Sequence, residues 1–272
     1  MKDRAIEIGR KAETGPLGYN RIREYLQHII MRELFELDVL EDLIFHGGTA
    51  LHFIYDLNRY SEDLDFHTKN IIPDWKLQPV LKKLQKNLDY QGYSLTFTTP
   101  SPKNVQSSFL KIDDILYESG ISNQKTEKLN IKIEIDINPP AGFTSETSPV
   151  NQFFPYIVQH HDRPSFLAGK LHAILQRTWT KGRDYYDLWF YITRSSSIEP
   201  NFNYLQNALA QTGYSGKKIT AGNWKMQIAR RVKEADWDKI RNDVTPFLPH
   251  PADLKAFRKE MLLEKLNSPA TG

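Results

Sequence analysis

Residues Phe45 to His67 read FHGGTALHFIYDLNRYSEDLDFH, and no other stretch constrains the fold of this chain as much. Leu43, Ile44 and Phe45 form a short apolar run that ends at Gly47-Gly48, the pattern of a buried strand entering a tight turn. Thr49 to Leu57 then carries Leu51, Ile54 and Tyr55 at helical spacing. Leu64 and Phe66 alternate with Asp63 and Asp65, as on a strand with one buried face. Strand, glycine turn, helix and strand therefore follow in quick succession. A paired glycine lets backbone pass close to a phosphate group with no side chain in the way. Two carboxylates at i and i+2 of a strand project from one face, where they can share divalent metal ions. A phosphate cradle beside a metal clamp is the minimum equipment for chemistry on a nucleoside triphosphate.

The flanking sequence supplies a scaffold. Ile22, Tyr25, Leu26, Ile29, Ile30, Leu34 and Leu37 predict a helix over 20–37, with Asn20 placed to cap it. A second amphipathic helix is expected over 75–88, with Lys82, Lys83 and Lys86 on its wet side. Strands are expected over 94–99, 107–112 and 129–138. In the last, Ile131, Ile133, Ile135 and Ile137 alternate with Lys132, Glu134, Asp136 and Asn138, which places Glu134 and Asp136 on one polar face. Residues 139–155, rich in Pro, Ser and Thr, read as a loop, and 156–160 as one more strand. From Pro164 onward the pattern is helical, over 166–179, 184–193, 203–211, 224–240 and 252–266.

Mixed α/β followed by all-α gives the fold class α+β. The expectation is a mixed sheet flanked by helices over 1–155, then a helical domain over 156–272 that completes an active-site cleft. With 40% hydrophobic and 12% aromatic residues in 272, the chain can pack a sizeable core. Zero cysteines exclude disulfides and thiolate metal sites. No run approaches the ~20 apolar residues of a membrane span, and MKDRAIEIGRK lacks the apolar core of a signal peptide. The expected location is the cytoplasm. A net charge of +3 is compatible with a nucleic-acid partner without arguing for one.

The acidic segments are Asp63 with Asp65 and Glu134 with Asp136. Neighbouring bare carboxylates repel by roughly 1 kcal/mol in water and ~4 at a partly buried site. Mg²⁺ neutralises such a cluster and can bridge triphosphate oxygens as well. Glycine turn, Asp-x-Asp strand and third acidic strand are the three pieces of two-metal nucleotidyl transfer.

The run GGTALHFIYDLNRYSEDLDF, with IKIE at 131–134 and LAGKLHAILQR…KGRDYYDLW at 167–189, resembles the AbiEii-type nucleotidyltransferase toxins of the DNA polymerase β-like superfamily. The likeness covers residues from about 20 to 195. It implies that Gly47, Gly48 and Thr49 hold the triphosphate and that Asp63 and Asp65 are metal ligands. Ser61 would line the same pocket, and Glu134 would be the third acid, favoured over Asp136 on the same face. Lys170 would approach the triphosphate from the helical half, with Asp184 or Asp187 completing the site. The implied cofactor is Mg²⁺ or Mn²⁺ and the co-substrate an NTP. The implied acceptor is the 3′ end of a tRNA, and the implied partner an antitoxin that acts without stable binding. One departure is His46, where such proteins often carry Lys before the glycine pair.

Taken singly, these residues have plainer readings. Gly47-Gly48 alone is a turn, Asp63 and Asp65 alone an edge-strand surface, and Asp184 a helix N-cap. Lys170 can snorkel from an apolar stripe, and Arg59 can pair with Glu62 at the surface. His160, His161 and His172 are too loosely spaced to argue for a transition metal. In the C-terminal half, Lys181, Arg183, Lys217, Lys218, Lys225, Arg230, Arg231 and Lys233 interleave with Trp179, Tyr214 and Trp224. That suits a single-stranded RNA end and a solvated helical surface equally. The alternatives are a protein hydroxyl as acceptor, a non-catalytic nucleotide- or nucleic-acid-binding module on a degenerate fold, and, ranked last, a metal-dependent phosphohydrolase.

Overall fold

The computed structural model describes residues 1–100, 102–194 and 198–267. The chain divides into two units. The first comprises Met1–Asp56, Tyr60–Pro139 and Thr147–His160; the second comprises Leu57–Arg59, Pro140–Glu146 and the chain from His161 onward.

The first unit opens with α1 (Lys2–Arg10) and α2 (Gly15–Glu36), followed by β1 (Leu43–His46), α3 (Gly47–Tyr55) and β2 (Asp63–Thr68). Then come α4 (Leu77–Tyr90), β3 (Leu95–Phe97), β4 (Val105–Ile112), the short α5 (Ile115–Glu118), β5 (Leu129–Asp136), β6 (Ser145–Val150) and β7 (Tyr156–His161). The seven strands form one mixed sheet in the order β3-β4-β5-β2-β1-β7-β6. β2 runs antiparallel to β1 but parallel to β5, and β1 runs parallel to β7. The apolar half of each alternation is buried: Leu64 and Phe66 on β2 lie beside Ile133 and Ile135 on β5, all at 1% exposure or less. The polar half is thereby committed to the opposite face.

Two local expectations in the first unit change. The helix predicted from Asn20 starts at Gly15, with the Thr14 hydroxyl accepting from the Leu17 N–H and proline in the first turn. Thr14 followed by Pro16 is the stronger start signal, and Asn20 lies buried inside the helix, accepting from Arg23 at 2.7 Å. The stretch read as loop contains β6, whose residues are mostly exposed. An edge strand held by backbone bonds shows no apolar alternation and tolerates its Pro149.

The second unit packs α6 (Arg163–Gln176), α7 (Gly182–Arg194), α8 (Phe202–Gln211), α9 (Trp224–Glu234), α10 (Trp237–Val244) and α11 (Lys259–Asn267). Asp162 caps α6, its carboxylate accepting from the Ser165 N–H at 2.8 Å. A Cβ on Gly182 would stand 2.8 Å from the Ile240 Cα, so α7 and α10 approach closer than any other residue there allows. The single helix expected over 224–240 is broken, because the Asp236 side chain accepts from the Lys239 N–H and starts α10 afresh. Trp224, at 1% exposure, is core and not a surface for stacking bases.

Candidate active site

The register of β2 against β5 sets Asp63 beside Lys132, Asp65 beside Glu134 and His67 beside Asp136. On its other side Asp65 faces His46 of β1. Adjacent strands lie about 4.8 Å apart, so Asp65 and Glu134 present carboxylates from neighbouring positions on one face. Asp63 follows one pleat away. The Lys132 ammonium bonds the Glu134 carboxylate. Burial works against that charge, but Glu134, then Asp63 and Asp65, outweigh it and hold the Lys132 pKa above the ordinary lysine value. The acidic face thus carries its own counter-cation, drawn from the same strand. Burial and the nearby Glu134 charge raise the Asp136 pKa, while the Asn138 N–H donated to it works the other way.

Among the described residues, no three His, Asp or Glu side chains converge tightly enough to hold a metal ion by themselves. Mg²⁺ does not need such a cage, since it binds through one or two carboxylates plus substrate phosphates and keeps waters. Hard oxygen donors side by side, with an ammonium already among them, are the donor set that suits it.

The glycine turn abuts these carboxylates. Gly47 has φ +77°, and a Cβ there would sit 2.9 Å from Cβ and Cγ of Asp65. Gly47 is the first residue of α3, and His46 before it makes no side-chain cap to the first N–H groups of that helix, the donors a phosphate would use. Gly48 and Thr49 are buried in the first turn. The Thr49 hydroxyl donates to the Asp63 carbonyl and ties α3 to β2, so what Thr49 offers a ligand is backbone. Ser61 is half-buried just before β2, its carbonyl accepting from Gln27 at 3.2 Å.

The second unit gathers Lys170, Asp184 and Asp187. Lys170 Nζ lies 2.6 Å from Asp187 and 3.3 Å from Asp184. Arg59 bonds Asp187 through Nε and a terminal nitrogen, each at 2.7 Å. Asp187 is fully buried and Arg59 is 2% exposed. Burial alone would raise the Asp187 pKa, yet Arg59 and Lys170 hold it below the ordinary carboxylate value. Lys170 is likewise penalised by burial but kept charged by Asp187 and Asp184.

This corrects two of the plainer readings. Arg59 does not lie at the surface but is buried against Asp187, and Glu62 takes Arg23 at 3.0 Å. Asp184 is not an N-cap but lies inside the first turn of α7, bonded to Lys170. Sequence reasoning missed Arg59 as a site neighbour. Its only signal was an arginine amid the otherwise family-like run between GGTAL and SEDLDF.

The model of the family described as "Nucleotidyl transferase AbiEii toxin, Type IV TA system" matches residues 29–260. The chain belongs to the AbiEii family. It is a nucleotidyltransferase of the toxin half of a type IV toxin–antitoxin system, with a nucleotide substrate and an antitoxin partner. Solved structures similar to it include two from the same bacterium. One is a protein of H. pylori provisionally described as a nucleotidyltransferase, 18% identical, covering 88% of this chain and 89% of that one with a TM-score of 0.47. The other is JHP933 from Helicobacter pylori, 17% identical, covering 89% and 87% with a TM-score of 0.44. No curated protein matches the chain.

Other candidate residues of this AbiEii chain have structural partners. His160 Nε2 lies 2.8 Å from the Ser148 hydroxyl, and His172 Nε2 lies 2.9 Å from the Thr212 hydroxyl. The His161 ring packs on Phe143, Phe166 and Tyr204. Arg231 donates to the carbonyls of Ile174, Leu175 and Arg177 at the end of α6, and Arg230 pairs with Glu234. Among the described residues, no helix is long and apolar enough to cross a membrane.

Proposed function

We propose that this toxin transfers a nucleoside monophosphate from an NTP to the 3′ end of a tRNA, using Mg²⁺, or Mn²⁺ in its place. The observation that carries this reading is the register of Asp65 beside Glu134, one pleat from Asp63, with the Lys132 ammonium drawn in among them. A face that recruits a cation from its own strand is a face built for cations.

Asp63, Asp65 and Glu134 are the residues that would hold the metal. Bound there, a divalent ion supplies charge neutralisation at the triphosphate and lowers the pKa of the acceptor hydroxyl. Gly47, Gly48 and Thr49 present backbone N–H groups to the triphosphate, with the Ser61 hydroxyl as a further donor. The acceptor oxygen bonds to the α-phosphorus, the bond to the β-phosphate oxygen breaks, and pyrophosphate leaves. Glu134 takes the acceptor proton. In the second unit, Asp187 with Asp184 keeps Lys170 charged and oriented, a cation of the kind that departing phosphates require.

Modifying the 3′ end of tRNA blocks translation, which accounts for a toxin that acts in the cytoplasm. An antitoxin can then counter it without binding it stably.

The test is incubation with each labelled NTP, divalent ion and either total RNA or total protein. Label should enter the RNA fraction, map to tRNA 3′ ends and vanish in Asp63→Ala. Label confined to protein, or absent from both fractions with every NTP, overturns the reading.

A further inference from the structure

Where α6 gives way to α7, the second unit forms a partly open cavity of about 90 Å³ with Arg177, Trp179, Lys181, Asp184, Arg231 and Glu234 in its walls. Most of these charges are already spent. Asp184 serves Lys170 at 3.3 Å and lies 3.2 Å from Arg177. Glu234 holds Arg230 at 2.8 Å, and Arg231 is occupied by the carbonyls that end α6.

Lys181 is different. It is half-buried, and burial together with Arg183, Lys170 and Arg177 depresses its pKa, with Asp184 opposing only in part. Its ammonium has neither hydrogen bond nor ion pair among the described residues. A partly enclosed pocket whose walls carry a surplus of cations suits an anion. At its mouth Trp179 is 64% exposed, with the Arg177 guanidinium 5.5 Å from its ring centre. A large exposed indole beside a cation pocket is a stacking surface for a planar base. Thr178 and Thr180 also line the pocket.

We propose that this pocket binds a phosphate group of a nucleotide or nucleic acid at Lys181, with the adjoining base stacked on Trp179. The inference rests on nucleotidyl transfer as the activity and adds a recognition subsite to it. The phosphate can come from the incoming NTP or from the acceptor strand, and the experiment separates the two. A lysine that merely rests its stem in the cavity while its head meets water is the competing explanation.

The test uses the full chain carrying Asp63→Ala, so that no turnover disturbs binding. Affinities are measured for a fluorescein-labelled single-stranded oligoribonucleotide by anisotropy and for each NTP by calorimetry. Lys181→Ala and Trp179→Ala should each weaken one of the two ligands at least about fivefold. Lys181→Arg should restore binding, and Lys265→Ala, at an exposed cation elsewhere in this unit, should leave it unchanged. If the RNA is the affected ligand, the slope of log affinity against log salt should fall by about 0.7 in Lys181→Ala. Loss confined to RNA places the acceptor in the pocket, and loss confined to NTP places the co-substrate there. The proposal is overturned if Lys181→Ala binds both ligands as the parent does, if Lys265→Ala loses as much, or if the parent binds neither. Binding is read without transfer, so a wild-type enzyme that labels nothing would sink the transfer reading while leaving these affinities interpretable.

Discussion

Gly47 and Asp65 are in mutual contact where the glycine turn meets the acidic face. A Cβ on Gly47 would stand 2.9 Å from both Cβ and Cγ of Asp65, at a φ of +77° that side chains rarely adopt. The turn is glycine because the carboxylate needs the space. Gly47→Ala should therefore cost about 2 kcal/mol of stability from strain and displaced packing. It should lower transfer up to about 100-fold by pushing Asp65 off position. Urea denaturation and initial rates measured on the folded fraction check both, and near-native rates would show that Asp65 has room to move.

Lys132 competes with any external cation for Glu134. Removing it as Lys132→Met leaves the acidic face without its internal counter-charge. Thermal melts with and without Mg²⁺ should then show a larger metal-induced rise in Tm than wild type shows. Lys132→Met combined with Glu134→Gln should erase the difference. An equal metal response in wild type and Lys132→Met would mean that Lys132 and the ion do not share a site.

Asp187 sits between two cations, Arg59 at 2.7 Å and Lys170 at 2.6 Å, with no exposure to water. Asp187→Asn removes the buried counter-charge that both cations share and should cost about 3–5 kcal/mol. The pH dependence has a definite sign. The folded pKa is held below the ordinary value, so the stabilisation is complete above the unfolded carboxylate pKa and disappears as pH falls through the lower folded one. Urea midpoints measured down into that range should decline in wild type and lose this component in Asp187→Asn. A loss well under 1 kcal/mol would show that the cluster is wetter than its geometry implies.

His28 gives a second, milder pH effect. Burial pushes its pKa down to about 4, while Tyr156 lies 2.8 Å from Nδ1 and Phe53 stacks on the ring. An unfolded histidine takes its proton near 6.5, so stability is full above that value and falls as pH drops toward about 4. Between pH 7 and pH 5 the loss from this residue should be about 2 kcal/mol. His28→Phe should flatten the profile over that window, and an unchanged slope would assign it to other groups.

What could be read from the chain alone was whatever is encoded over a few neighbouring residues. The alternation from Ile131 to Asp136 dictates a strand with one acidic face, and Gly47-Gly48 after an apolar run dictates a turn. Both rest on periodicity and backbone sterics that need no partner. The start of α2 was missed only because a good cap at Thr14 outranked the one at Asn20.

Register and burial are another matter, since they belong to pairs far apart in sequence. That Asp65 lies beside Glu134, that Lys132 turns inward to those acids, and that Arg59 leaves the surface for Asp187 were decided by packing. Local sequence sets which face a side chain takes. Only the assembled fold sets which charges meet there, because the energy of a buried ion depends on the neighbours that replace its water.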